Sequence, residues 1–216
     1  MVQVKKYFLP PTALIPNSPQ PLLHYIGLQL PSPGNKVIEF YDLFEGNGWN
    51  MQWIFRYGTT QRSHYHSGVH ECMAVLSGSA TIRFGVADTS IDMEANTNGD
   101  AREAGGIELE AHAGDVFLLP AGVAHKTYNT KPEAEFAILT PGDGHRIAWE
   151  DSRAALANTA LSGFTMMGAY PVNGGHWDFM KGGENAGAHE DVWSVKKPER
   201  DPVLGKSEDG MCGLWS

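Results

Sequence analysis

The sequence predicts an all-β fold, an antiparallel sandwich or barrel. Seven short segments rich in β-branched and aromatic residues follow one another between residues 49 and 139, a composition that fits pleated, half-buried strands. Glycine and proline, 25 and 13 of the 216 residues, fall in most of the gaps between them, where turns need a positive φ or a φ fixed near −65°. No long helical pattern separates the segments, so turns and not crossover helices join the strands.

Taken in order, residues 1–36 form an N-terminal arm. Its stretch from 9 to 35 is rich in Pro, Asn and Ser around one short apolar piece, Leu22–Leu30, and is expected to be irregular and to pack over the body or onto a partner subunit. The texture changes at Val37. The strand-like segments are Trp49–Tyr57, Cys72–Leu76, Ala80–Phe84, Ile107–Ala111, Val116–Leu119, His125–Asn129 and Glu135–Leu139. Residues 86–106, polar and turn-rich, are expected to form one long loop. Residues 37–143 thus make the barrel, and 144–216 a C-terminal extension packed on it. The extension holds one predicted helix, Asp151–Leu161, with Asp151 or Ser152 as N-cap and Gly163 beyond its end. It also holds one further strand, Phe164–Tyr170, and a Gly- and charge-rich tail anchored by Trp193, Leu214 and Trp215. No internal repeat is visible, so there is one barrel.

Composition bounds the function. With 42% hydrophobic and 19% charged residues the chain suits one globular domain. A formal charge of −9 gives no basic face for nucleic acid. No run of 18 apolar residues exists, so no membrane partner is expected. The apolar N-terminus is broken by Pro10 and Pro11, against a secretory signal. Two cysteines, Cys72 and Cys212, are too few for a disulfide framework. A cytoplasmic protein is expected.

The chemistry concentrates in HYHSGVHE, residues 64–71. His64 and His66 sit two apart on a strand, so their side chains leave the same face. Glu71 has the wrong parity for that face, but Ser67-Gly68 supplies a turn or bulge to bring it round. A second segment, GDVFLLPAGVAHKTYN (114–129), places His125 at the start of a strand after the turn at Pro120-Ala121-Gly122. Neighbouring antiparallel strands would bring three imidazoles and one carboxylate to a point, a donor set for a first-row divalent metal with open positions.

Gly58, His64, His66, Glu71 and Gly78, and then Gly114, Pro120, Gly122, His125 and Asn129, match the two defining motifs of the cupin superfamily at every specified position. Such a coincidence arises at roughly 10⁻¹³ per placement from background composition. The chain resembles a single-domain cupin over about residues 58–129, with a longer than usual stretch between the motifs. Less closely, GAYPVNGGHWDF (168–179) and DPVLG…GLW (201–215) resemble a bacterial and fungal group of single-domain cupins with no assigned reaction.

The resemblance implies a jelly-roll β-barrel (a double-stranded β-helix) with the metal inside it. It implies His64, His66, Glu71 and His125 as ligands, the motif glycines and Pro120 as structural residues, and Asn129 as a turn residue or a support for a ligand. Fe(II) is the favoured metal, with Mn, Ni, Cu or Zn as alternatives, and a homodimer is expected. The favoured activity is a dioxygenase-like oxidoreductase acting on a small molecule, aromatic or dicarbonyl. The alternatives are a metal-dependent isomerase, decarboxylase or cyclase, and a non-catalytic metal- or ligand-binding protein.

Parity along the strands puts Met73, Val75, Thr127 and Asn129 toward the cavity and gives it an apolar wall. Further candidates for a catalytic role are His70 as an acid/base at the rim, Arg62 (with Arg56) for a substrate carboxylate, and Tyr170 and Asp178 as lid residues.

Overall fold

The computed structural model describes residues 2–30, 34–147 and 150–216. Its strands are β1 (Gln3–Tyr7), β2 (Leu22–Ile26), β3 (Trp49–Arg56), β4 (Glu71–Ser77), β5 (Ser79–Phe84), β6 (Ile107–His112), β7 (Val116–Leu119), β8 (His125–Lys131), β9 (Ala137–Ile138) and β10 (Thr165–Pro171). Its helices are α1 (Lys36–Gly46), α2 (Met93–Thr97), α3 (Ser152–Leu156), α4 (His189–Trp193) and α5 (Met211–Leu214). The strands form two antiparallel sheets, one in the order β1-β2-β7-β4-β10-β3-β9 and one in the order β6-β5-β8. Apolar side chains from both sheets interdigitate in one core, which is the jelly-roll barrel.

The corner between the sheets is set by one residue. Gly78 alone separates β4 in the large sheet from β5 in the small one, and its φ is +73°. A Cβ there would lie 2.5 Å from the Lys131 carbonyl, so both the backbone angle and the space require glycine.

Strand β4 explains why its segment reads as a continuous apolar run. Met73 and Val75 point into the barrel core, with Ile82, Phe84, Phe117 and Phe164. Cys72, Ala74 and Leu76 point the other way, into a second core that the N-terminal arm, α1 and the C-terminal tail lay over the outer face of the large sheet. A strand buried on both faces loses the apolar/polar alternation.

Several elements differ from the sequence reading. Where an irregular arm was expected, β1 and β2 are strands, and β2 pairs with β7 through Leu23, His24 and Tyr25. Helix α1 was not anticipated at all. Asn35 caps it, its side chain accepting from the Val37 N–H at 3.0 Å, and Val37, Phe40 and Phe44 are its buried face. Burying a Phe of this kind is worth about 1.5–3 kcal/mol. The helix predicted at 151–161 spans Ser152–Leu156 only, capped by Asp151 as expected. The loop 86–106 contains α2, whose Asn96 and Thr97 carbonyls receive the buried Arg83 guanidinium at 2.9 and 3.0 Å. The strand Glu135–Leu139 shrinks to the two residues of β9. Strand β10 was expected as an addition to the barrel, and it lies between β3 and β4 in the large sheet. No helix among the described residues is long and apolar enough to cross a membrane.

Candidate metal centre

Three backbone connections bring the motif residues together. The His64 and His125 backbones exchange hydrogen bonds of 3.1 and 2.8 Å in an isolated antiparallel bridge. The Gly122 N–H donates to the His66 carbonyl at 2.8 Å, and Gly122 (φ +88°) is pressed so close to the Asn17 carbonyl that a Cβ would stand 2.4 Å from it. Glu71, the first residue of β4, pairs with Leu119 at the end of β7. The chain between Ser67 and His70 leaves the strand path, and Glu71 thereby reaches the face that parity alone denies it.

The side chains of His64, His66 and His125 are buried, with candidate donor nitrogens within 4.8 Å of one another. Each Nδ1 faces a backbone carbonyl, of Arg62 for His64 (3.1 Å), of Asp178 for His66 and of Val123 for His125 (3.4 Å). Donating Nδ1–H to a carbonyl fixes the tautomer and leaves the Nε2 lone pair on the other side of the ring. Glu71 stands against these nitrogens, Oε1 at 3.2 Å from His66 Nε2 and Oε2 at 3.3 Å from His125 Nε2. Its Oε1 also accepts from the Tyr170 hydroxyl at 2.5 Å, and that hydroxyl accepts from Trp53 Nε1 at 3.0 Å.

Electrostatics tests whether such a cluster suits a cation. Burial, and then the neighbouring imidazoles, drives His64 well below its usual range, and burial takes His125 down to about 4. Burial also opposes the charged forms of His66 and Glu71, but each outweighs that for the other: His66 is raised and Glu71 falls to about 2. One proton on His66 therefore satisfies one contact. Glu71 Oε2 has no hydrogen-bond partner, and His125 Nε2 presents a lone pair to it. Buried lone pairs facing a carboxylate are costly unless a positive ion lies among them. An ion that displaces the His66 proton would meet three imidazoles and one carboxylate, a set that fits a first-row divalent metal.

Above the imidazoles lies a cavity of about 120 Å³ lined by Trp53, Phe55, Tyr57, Gln61, Phe136, Tyr170, Trp177 and Phe179. Met73 and Val75 are barrel core, the other reading their pattern allows, and the wall of the cavity is aromatic. Asn129 is exposed at φ +53° within β8, where the pairing with β5 shifts register, so it is a bulge residue and not the turn residue expected. Trp53 and Phe55 on β3 and Tyr57 just beyond its end are a period-two stripe lining the cavity, with Trp53 stacked on Phe55 at 4.3 Å. That alternation stands in the sequence and would have revealed the wall.

A strap from the C-terminal extension borders the cavity. The Tyr65 and Met180 backbones exchange hydrogen bonds of 2.9 and 3.0 Å, laying residues 177–180 beside the ligand strand. Trp177 stacks on His145 and Phe179 on His64, each with ring centroids 4.0 Å apart.

The other sequence candidates are dispersed. Tyr170 lines the cavity but belongs to the wall through β10. The Asp178 carboxylate is spent on Ser67, accepting from its N–H at 2.7 Å and from its hydroxyl, while the Asp178 carbonyl orients His66. Arg62 also contributes a carbonyl, and its side chain is not part of the cavity lining. Arg56 is tied to the Glu135 carbonyl and Ser162. His70 is turned away: Nδ1 accepts from the Ala121 N–H (2.9 Å), Nε2 donates to the Lys196 carbonyl (3.2 Å), and the ring packs on Trp215.

A jelly-roll barrel carrying a buried three-histidine cluster defines the class of the fold. Within it the chain belongs to the cupin family, whose model, described as Cupin, matches residues 55–164. The chain is similar to the uncharacterized protein YjlB of Bacillus subtilis (strain 168), 27% identical over 221 residues that span 99% of this chain and 97% of the relative. Among solved structures it is similar to an oxalate decarboxylase of Lactobacillus farciminis in a formate complex, at 14% identity and a TM-score of 0.31 over 68% of this chain and 35% of that one. It is also similar to YcfD, a ribosomal oxygenase of Escherichia coli, at 12% identity and a TM-score of 0.32 over 69% and 31% of the two chains. The chain thus spans about a third of the length of both enzymes, and likeness at this level carries no chemistry across.

Proposed function

We propose that this cupin is a metal-dependent enzyme of dioxygenase type that acts on a small, flat, largely apolar molecule. The observation that carries the reading is the convergence of three buried imidazoles and the Glu71 carboxylate beneath an aromatic-walled cavity. His64, His66, Glu71 and His125 would hold the ion, Fe(II) by preference. When bound, such an ion supplies Lewis acidity and redox exchange with O₂. The remaining roles fall to the chain. The backbone carbonyls of Arg62, Val123 and Asp178 hold the rings in the ligating tautomer, and Tyr170 fixes the Glu71 carboxylate. Trp177 and Phe179 shield the reacting volume from water. A volume of about 120 Å³ is on the scale of engineered protein cavities that take benzene, so the substrate is of the order of one ring.

The same reading keeps residues 1–36, 37–143 and 144–216 as arm, barrel and extension. It keeps a cytoplasmic location, in keeping with two free thiols. It also keeps a homodimer, for which β1, at the edge of the large sheet, leaves one side free to pair.

The test is metal analysis of untagged protein followed by O₂ uptake with candidate aromatic and dicarbonyl compounds. Near-stoichiometric iron, manganese or copper with substrate-dependent uptake is expected, and both should be lost in His66→Ala and His125→Ala. A variant that stays active without metal refutes the assignment. Turnover on zinc that ignores O₂ would instead make the protein an isomerase, decarboxylase or cyclase.

A further inference from the structure

We infer that Gln61 selects the substrate, its side-chain amide donating a hydrogen bond to a carbonyl or carboxylate oxygen on a one-ring molecule. The inference rests on the cavity being the substrate site, as proposed above, and adds the polar feature that the substrate must carry.

Most polar groups of the lining already have work. The three imidazoles are tied through Nδ1, and those of His66 and His125 turn Nε2 toward Glu71. The Tyr170 hydroxyl donates to Glu71 and accepts from Trp53. Among the described residues, two lining atoms are shielded from solvent and lack a hydrogen-bond partner, Glu71 Oε2 and Gln61 Nε2. The first is an acceptor, which a cation among the imidazoles accounts for. The second is a donor, and no cation satisfies a donor. A shielded N–H without an acceptor is costly, and a site built that way favours the ligand that supplies the acceptor over one that does not.

Gln61 is held where such a choice is made. Its N–H donates to the Thr127 carbonyl at 3.1 Å, two residues beyond His125 on β8, and it lies three residues before His64. The neighbouring Thr60 bridges Tyr128, so the segment is fixed on both sides of the amide. The rest of the wall, Trp53, Phe55, Tyr57, Phe136, Trp177 and Phe179, offers aromatic surface. Stacking of a ring and one hydrogen bond from Gln61 together define the ligand, a planar compound with an acceptor oxygen at its edge.

The experiment compares benzaldehyde with styrene, which have nearly the same shape but differ in the acceptor oxygen. Binding is followed by quenching of tryptophan fluorescence, since Trp53 and Trp177 line the cavity. Zinc-loaded protein is used so that nothing turns over, and the titrations are repeated after dialysis against chelator. Wild type is expected to prefer benzaldehyde by roughly tenfold, the worth of one such hydrogen bond. Gln61→Leu should bring the ratio to about one while styrene affinity and zinc content stay at the wild-type level. Gln61→Glu, which replaces the donor by a carboxylate, should push the ratio below one and gives a second reading should the leucine variant fold poorly. Equal binding of the two probes by wild type, binding of neither, or a ratio unchanged in both variants overturns the assignment. Failure to take up zinc while the ratio keeps its Gln61 dependence would refute the metal centre and leave the role of Gln61 standing.

Discussion

Gly168→Ala offers a test of how the cavity wall is built. Strand β10 places Gly168 between Trp53 on β3 and Met73 on β4, and its φ is not among the positive ones, so alanine brings no backbone strain. The difficulty is space. A Cβ on Gly168 would stand 2.0 Å from Trp53 Cε2, 2.1 Å from Cζ2 and 2.6 Å from Nε1. Ordinary contact begins near 3.4 Å, so the ring edge would have to retreat by about 1.4 Å. Trp53 is 3% exposed, stacked on Phe55 with the rings 9° from parallel, and bonded through Nε1 to Tyr170. Overpacking of this kind costs about 1–3 kcal/mol, and losing the indole hydrogen bond adds about 1 kcal/mol. Destabilisation of about 3 kcal/mol is expected, which for 216 residues lowers Tm by roughly 6–12 °C. Thermal unfolding followed by circular dichroism measures it. Trp53→Phe removes the indole edge that clashes, so the alanine penalty should shrink by at least about 1 kcal/mol in the double variant. A Gly168→Ala protein within about 0.5 kcal/mol of wild type, or a strictly additive cycle, would refute the packing described.

Two further expectations concern the tail. Burial holds His70 down to about 4 against 6.5 when exposed, and its Nδ1 must stay unprotonated to accept from Ala121. The native state therefore has its full stability above pH 6.5 and loses about 3 kcal/mol through this group as pH falls to 4. His70→Gln should lack that part of the acid limb in denaturant titrations, and parallel curves for the two proteins between pH 7 and 4 would dismiss it. The buried Asp201 carboxylate accepts from the backbone N–H groups of Val203 (2.7 Å), Leu204 (2.7 Å) and Met211 (2.6 Å) and from the Tyr25 hydroxyl. Asp201→Ala should cost about 3–5 kcal/mol and expose residues 201–216 to limited proteolysis; a tail as resistant as that of wild type would show that the anchor lies elsewhere.

Much of this architecture is legible in the sequence for identifiable reasons. Of the motif glycines, Gly78 and Gly122 mark positions where a side chain would strike a carbonyl, and His64, His66 and His125 come together because register and a backbone bridge leave little choice. The strands of 49–131 are short, punctuated and β-branched, and they lie close to where that pattern puts them. Helix α1 was passed over although Asn35, Val37, Phe40 and Phe44 carry its cap and its apolar face, because aromatic residues weigh equally toward strand. The lid was harder to see. Trp177 and Phe179 reach the cavity through backbone bonds between Met180 and Tyr65, and main-chain contacts of that range leave no side-chain pattern to read. Gln61 was missed for a related reason: what distinguishes it is the lack of a partner, which appears only when the surroundings are assembled.

The insertion of β10 between β3 and β4 bears on how the molecule comes to exist. On the ribosome those two strands emerge long before the one that joins them, since Ser77 precedes Thr165 by 88 residues. At 5–20 residues per second the interval is about 4–18 s, during which β3 and β4 each present a bare edge and an apolar face to their surroundings. Tyr170, the partner of Glu71, arrives on that same late strand. The nascent chain thus carries all three histidines before it carries the support for the carboxylate, and it needs either a chaperone or rapid synthesis to reach the closed barrel unharmed.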